Sequence, residues 1–173
     1  VGGQTEGSNP LYVSYMAPSC GPGRYDNGQT CEVCQPGTFQ DLNQATSCQP
    51  CDVGTFAPNA GSASCVACPE GTFAGQQGAA ECVLCPQGTS SSTTGSESCD
   101  VCAPGTFSPQ AGQRECVACP AGTFASTSGS NACVPCPQGT TSEPGATQCH
   151  NANVCQPGTF RDIDGDCVLC PAG

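Results

Sequence analysis

Residues 51–67 read CDVGTFAPNAGSASCVA, and residues 68–84 follow directly as CPEGTFAGQQGAAECVL. Both stretches place Cys first and fifteenth, Gly-Thr-Phe fourth to sixth and Gly eleventh, and the second begins where the first ends. The same period continues in both directions. CxxC pairs begin at Cys31, Cys48, Cys65, Cys82, Cys99, Cys116 and Cys133, always at the step that separates Cys51 from Cys68. A fixed period of this size marks a repeat protein built by stacking one small supersecondary unit. Six regular modules fill residues 34–135, preceded by a shortened one at 20–33 that has Tyr25 in the Phe place. Two irregular modules occupy 136–169, opening at Cys136 and Cys155 and separated by an enlarged linker, His150 to Val154. Residues 1–19 form an N-terminal extension, and residues 170–173 (CPAG) open a further module. The stretch from Cys85 resembles the one from Cys136, three modules on, which suggests a duplicated block of three modules; if that block repeats, another Phe module is expected to follow. With Val1 at its start and an opened module at its end, the chain reads as a mature segment of something longer.

Composition explains why such modules need cross-links. Leu, Ile, Val and Phe together number 22, about 13% of 173 residues, and there is no Trp and one Met. That is below the roughly 20% at which disorder becomes the ordinary outcome. Against it stand 19 Cys, a density that marks disulfide scaffolds. Disulfides persist in the secretory lumen and outside the cell, so an extracellular or cell-surface location is expected. Successive CxxC pairs could instead ligate zinc as thiolates. Such sites add negative charge to a chain already at −11 with three Arg and no Lys, which favours disulfides. The same acidity argues against nucleic-acid partners, since phosphate contacts need cations. No apolar run long enough for membrane insertion is present, and no cofactor is expected.

The repeating places define the expected fold. All six Phe (Phe39, Phe56, Phe73, Phe107, Phe124, Phe160) occupy the sixth place, and with Tyr25 they are the candidate packing residues. Burying one ring stabilises by roughly 1.5–3 kcal/mol, so each is expected to pack on its own cystine and on a neighbouring module. Gly at the fourth and eleventh places suits turns with positive φ or close backbone approach. Thr-Phe between them favours a short strand. The expectation is a set of small disulfide-rich repeats forming an elongated, solenoid-like rod of short β-hairpin and turn units, without helix and with little regular secondary structure.

Pairing cannot be deduced from spacing alone, but the count is suggestive. If each module closes on itself, the bonds are Cys20–Cys31, Cys34–Cys48, Cys51–Cys65, Cys68–Cys82, Cys85–Cys99, Cys102–Cys116, Cys119–Cys133, Cys136–Cys149 and Cys155–Cys167, leaving Cys170 unpaired. The deletions in the last two modules then shorten loops without orphaning a Cys. Closing a loop of about 15 residues is worth about 3 kcal/mol in the chain-entropy model. Bonding within each CxxC is the rival, with far smaller loops. Cys170 is expected to have its partner beyond Gly173; a free thiol or an interchain bond is the alternative.

The unit CPxGTF-x4-G-x3-CxxC resembles the ephrin-receptor-like cysteine-rich repeat, also called the GCC2/GCC3 repeat, over about Cys20 to Gly173. More distantly it is similar to the first module of tumour-necrosis-factor-receptor cysteine-rich domains. The resemblance implies extended, β-poor extracellular rods of large surface proteins, many from algae, ciliates and other protists. It supports the self-closed pairing and carries over no catalytic residue. The further interlocked bonds of tumour-necrosis-factor receptors are missing here, so cytokine binding is not implied.

Few other residues suggest chemistry. Leu11-Tyr12-Val13-Ser14-Tyr15-Met16 is an apolar, β-prone run. It is expected either to cap the first module over Tyr25 or to add as a strand to another subunit, which would give head-to-tail self-association into a filament. Asp162, Asp164 and Asp166 alternate in a weak calcium-loop pattern, but Gly165 and Cys167 fall where an EF-hand does not want them; a solvated acidic turn is the competing reading. His150 is the only His and has no nucleophile motif around it, so no enzyme is expected. Three Ser/Thr clusters resemble O-glycosylation substrate: Ser90, Ser91, Ser92, Thr93 and Thr94; Ser126, Thr127 and Ser128; and Thr141 with Ser142. Covalent glycans are therefore expected, with a bare polar surface as the alternative. The leading expectation is a structural component of an extracellular filament, appendage or cell-surface coat. The alternative is a stalk or ligand-binding ectodomain of a surface receptor or adhesin.

Overall fold

A computed structural model describes residues 19–152, 155, 159–161 and 167–169. The N-terminal run 11–16, the three aspartates Asp162, Asp164 and Asp166, Cys170 and the side chain of Phe160 lie outside the described residues. Modules are numbered 1 to 9 below by their opening residues Cys20, Cys34, Cys51, Cys68, Cys85, Cys102, Cys119, Cys136 and Cys155.

Every module is one antiparallel hairpin, and the described residues contain no helix. In module 4, Thr72–Phe73 pairs with Val83–Leu84 in the register Thr72↔Leu84 and Phe73↔Val83. Modules 3, 6 and 7 repeat this register place for place. Two residues per strand are too few to hold a hairpin in water. The cystine supplies the closure. Nine bonds join the first and last Cys of each module, from Cys20–Cys31 to Cys155–Cys167. The six regular modules have 14-residue separations and Cα–Cα distances of 5.6–5.7 Å.

The turn into each first strand explains the Gly-Thr pair. In module 4 the chain turns over Pro69 to Thr72, with Gly71 at φ +79° in the third corner, as a type II turn requires. Thr72 N bonds Pro69 O at 3.1 Å, and the Thr72 hydroxyl donates to the same carbonyl at 2.7 Å. The hydroxyl repeats this contact at Thr38, Thr55, Thr89, Thr106, Thr123 and Thr140. Thr is therefore kept for a turn bond as well as for strand propensity.

Besides the bond from each opening Cys N to the fourth-place Gly O of the preceding module, as from Cys68 N to Gly54 O at 2.9 Å, modules stack through three further backbone hydrogen bonds per seam. Between modules 3 and 4, Gly54 N donates to Ala74 O at 2.8 Å, Ala57 N to Ala79 O at 3.1 Å, and Gly78 N to Cys51 O at 2.8 Å. The seam between modules 7 and 8 keeps all three, through Gly122→Ser142, Ala125→Ala146 and Gly145→Cys119. The deletion in module 8 thus falls between the seventh place and the turn glycine, in a crest that carries none of these bonds.

The interior differs from a set of aromatic anchors. Phe39, Phe56, Phe73, Phe107, Phe124 and Tyr25 are only half-buried. Fully enclosed are the opening cysteines Cys34, Cys51, Cys68, Cys85 and Cys119, at 0% exposure, together with the seventh-place residues Ala57, Ala74, Ser91, Ser108, Ala125 and Ser142. The core is a column of sulfur and small side chains. The rings flank it because two-residue strands leave no facing layer to cover them.

Module 2 has Gln44 where later modules have Gly, at φ +62°. The left-handed region costs a non-glycine residue about 1–2 kcal/mol, against roughly 0.5–1 kcal/mol for the extra freedom of Gly when unfolded. Gln44→Gly is expected to slow local opening two- to five-fold, equivalent to about 0.5–1 kcal/mol. Hydrogen exchange at the residue 44 amide, which bonds Cys20 O at 2.9 Å, checks this.

Candidate functional site

The feature that recurs along the stack is a contact between glycines two modules apart. A β-carbon at Gly37, Gly54, Gly71, Gly88 or Gly105 would lie 2.1–2.2 Å from the carbonyl oxygen of Gly78, Gly95, Gly112, Gly129 or Gly145 respectively. The opening Cys of the module between them mediates this approach. Cys51 N bonds Gly37 O at 2.9 Å, and Cys51 O accepts from Gly78 N at 2.8 Å. One residue thereby ties three consecutive modules. These fourth-place glycines must satisfy a positive φ and a backbone at the same point, which no other residue can do.

Side chains follow the same geometry. Glu70 in module 4 pairs with Arg114 in module 6 at 3.2 Å, and Gln87 in module 5 meets Asn131 in module 7 at 3.4 Å. The Arg114 side chain is 73% exposed, so the ion pair adds little stability. A shallow cleft beside it, lined by Glu70, Ser92, Arg114, Glu115 and Val117 among others, runs across modules 4 to 6.

The outer strand carries apolar residues into solvent. Val66, Val83, Val117 and Val134, all at the sixteenth place, are 50–56% exposed. Each stands opposite a Phe: Phe56, Phe73, Phe107 and Phe124. Where the sixth place is Ser90 or Thr141, the partner becomes Asp100 or His150. Cross-strand pairs are the unit of sheet stabilisation, and in these modules both members change together, whereas in module 2 Phe39 faces Gln49. In module 5, Ser90 turns inward to within 3.3 Å of the Cys116 sulfur of module 6.

Three candidate glycan acceptors are corrected by burial. Ser90, Ser91 and Ser142 are 8%, 2% and 2% exposed. Ser91 bonds Ser96 Oγ at 2.6 Å, and Ser142 donates to Thr123 O at 2.7 Å. Ser91 and Ser142 fill the small-residue column and cannot accept a sugar in the folded chain; Thr141 is half-buried on its strand. Ser92, Thr93, Thr94, Ser126, Thr127 and Ser128 are exposed, at the crest between the seventh place and the turn glycine. The sequence signal for this division was present: the seventh place is Ala or Ser in modules 3 to 8.

Among the described residues, no three His, Cys, Asp or Glu side chains are grouped so as to hold a metal ion. Every buried side-chain polar atom there has a partner. His150 sits half-buried on the outer strand of module 8 opposite Thr141. No helix of the described residues is long and apolar enough to cross a membrane.

Comparison with curated proteins finds no match. The family model described as tyrosine-protein kinase ephrin type A/B receptor-like matches five times, over residues 21–64, 43–80, 54–102, 88–130 and 105–151. These matches run without a gap from 21 to 151, well over half of the 173 residues. Constant period, self-closed cystines and paired glycines coincide with those matches, and the chain belongs to the ephrin-receptor-like cysteine-rich repeat family.

Proposed function

We propose that this chain is a structural component of an extracellular filament, appendage or cell-surface coat, in which the modules act as spacers. The observation that carries the reading is the seam. It is made of backbone bonds and glycine contacts that recur from module to module, so any number of modules can be added without a new interface. Nine disulfides and membership of an ephrin-receptor-like family support an extracellular or cell-surface setting. Half-exposed valines at the sixteenth place provide apolar area for lateral contact, and the segment 11–16 is the proposed end-to-end contact. O-glycans on Ser92, Thr93, Thr94, Ser126, Thr127 and Ser128 would stand on the crests, clear of every seam. The family's description also supports a second reading, a stalk or ligand-binding ectodomain of a surface receptor.

Negative-stain imaging of the purified chain separates the two. Filaments are expected from the full chain, and single short rods after deletion of residues 1–18, with the intact mass above that of the bare polypeptide by the glycans. Single particles from the full chain would reject the filament reading in favour of the stalk, and a bare mass would reject the glycans.

A further inference from the structure

We infer that the array is a load-bearing tether in which tension runs along a spine of cystines and bypasses the loops of every module. The geometry rests on the stacked fold and holds equally for a filament subunit or a receptor stalk. Each module's entry and exit are the two ends of one disulfide, 5.4–5.8 Å apart at Cα. The next cystine begins after two residues, as in Cys48-Gln49-Pro50-Cys51, except across the five-residue linker His150 to Val154. Force applied along the chain therefore passes from the opening Cys through sulfur to the closing Cys, across three peptide steps, and into the next cystine. The loop between the two half-cystines of a regular module, such as Pro69 to Glu81 between Cys68 and Cys82, is outside the loaded path.

The lengths decide how strongly this limits extension. A peptide step spans at most about 3.3–3.6 Å, so a joint of three steps adds about 10–11 Å and a regular module can be drawn out to only about 16 Å. Without its disulfide the same module, 17 steps, would reach about 56–61 Å. From Cys20 to Cys167 the cystine path totals roughly 145 Å, against roughly 500 Å for the open chain. The seam bonds touch this path at each opening Cys, as at Cys51 O, which accepts from Gly78 N at 2.8 Å; the crest residues Ser92 to Thr94 and Ser126 to Ser128 and the Thr turns lie off it. They can carry modifications or partners without transmitting load. Stretching breaks weak seam bonds first and then meets a covalent stop.

Single-molecule pulling of the full chain held at its termini tests this. At high force the oxidised chain should show no lengthening step above about 10 Å per module. The Cys68→Ala, Cys82→Ala double variant should gain one extra length of about 40–45 Å, from 14 steps less the cystine span. Dithiothreitol, which reduces each disulfide to two thiols as it becomes the cyclic disulfide, should release steps of about that size in the regular modules. Length at high force depends on the covalent path alone, so a variant module that fails to fold still reports. Steps of about 40–45 Å in the oxidised wild type, or no added length in the double variant, would overturn the inference. Filament imaging does not bear on either outcome, so the two readings fail separately.

Discussion

Alanine at Gly71 is expected to break the stack at that point, at a cost of about 2–5 kcal/mol. Two effects add. The left-handed φ of +79° costs an L-residue about 1–2 kcal/mol. The new β-carbon would also sit 2.2 Å from Gly112 O and 2.9 Å from its carbonyl carbon. Those are backbone atoms that cannot rotate away, and forced displacement of packed structure costs typically about 1–3 kcal/mol. Gly61 provides the control. Its φ is +78°, but its nearest contact is at 3.9 Å, so Gly61→Ala should cost only the conformational penalty of about 1–2 kcal/mol. Hydrogen exchange at Gly71 N, bonded to Ser91 O at 2.7 Å, and at Gly95 N, bonded to Cys68 O at 2.7 Å, reads the seam between modules 4 and 5. In the control it is read at Gly61 N, bonded to Cys34 O at 2.8 Å. Equal effects of the two substitutions would refute the two-module contact.

Removing the Cys68–Cys82 cystine should destabilise module 4 more than removing its aromatic ring. A loop of about 15 residues accounts for about 3 kcal/mol, and Cys68 is also a fully enclosed member of the core. Phe73 is half-buried, so Phe73→Ala forfeits about 1–2 kcal/mol, less than the roughly 3–5 kcal/mol of an enclosed ring. The ordering is measured by exchange at Ala74 N, which bonds Ser96 O at 3.1 Å, in the Cys68→Ala, Cys82→Ala double variant and in Phe73→Ala. A larger loss in Phe73→Ala would mean that the rings, not the sulfur column, hold the module.

What could be read beforehand follows from which forces are local. The hairpin, the Gly71 turn and the loop between Cys68 and Cys82 are all determined within a single module, so periodicity and turn chemistry expose them. The serine clusters misled because composition does not distinguish a crest from a core. Ser91 and Ser92 are chemically alike, and the seam bonds at the Ser91 backbone, with the contact of its hydroxyl to Ser96 Oγ, turn one of them inward. The rings stay half-buried for a related reason: burying Phe73 would need a facing layer that no two-residue strand supplies. The approach of Gly71 to Gly112, two modules further along the chain, depends on how modules are set on one another, and no local pattern encodes that.

The contact between alternate modules has a bearing on how such a chain can grow. In most stacked-repeat proteins an added unit meets only its immediate neighbours, so one unit at a time is a complete increment. Here a unit is fully surrounded only when two companions on a side are in place, and the shortest segment holding every kind of contact is a trio. A trio is also the spacing at which the sequence from Cys85 recurs at Cys136. Copying genetic material in triplets would deliver self-sufficient pieces at each step.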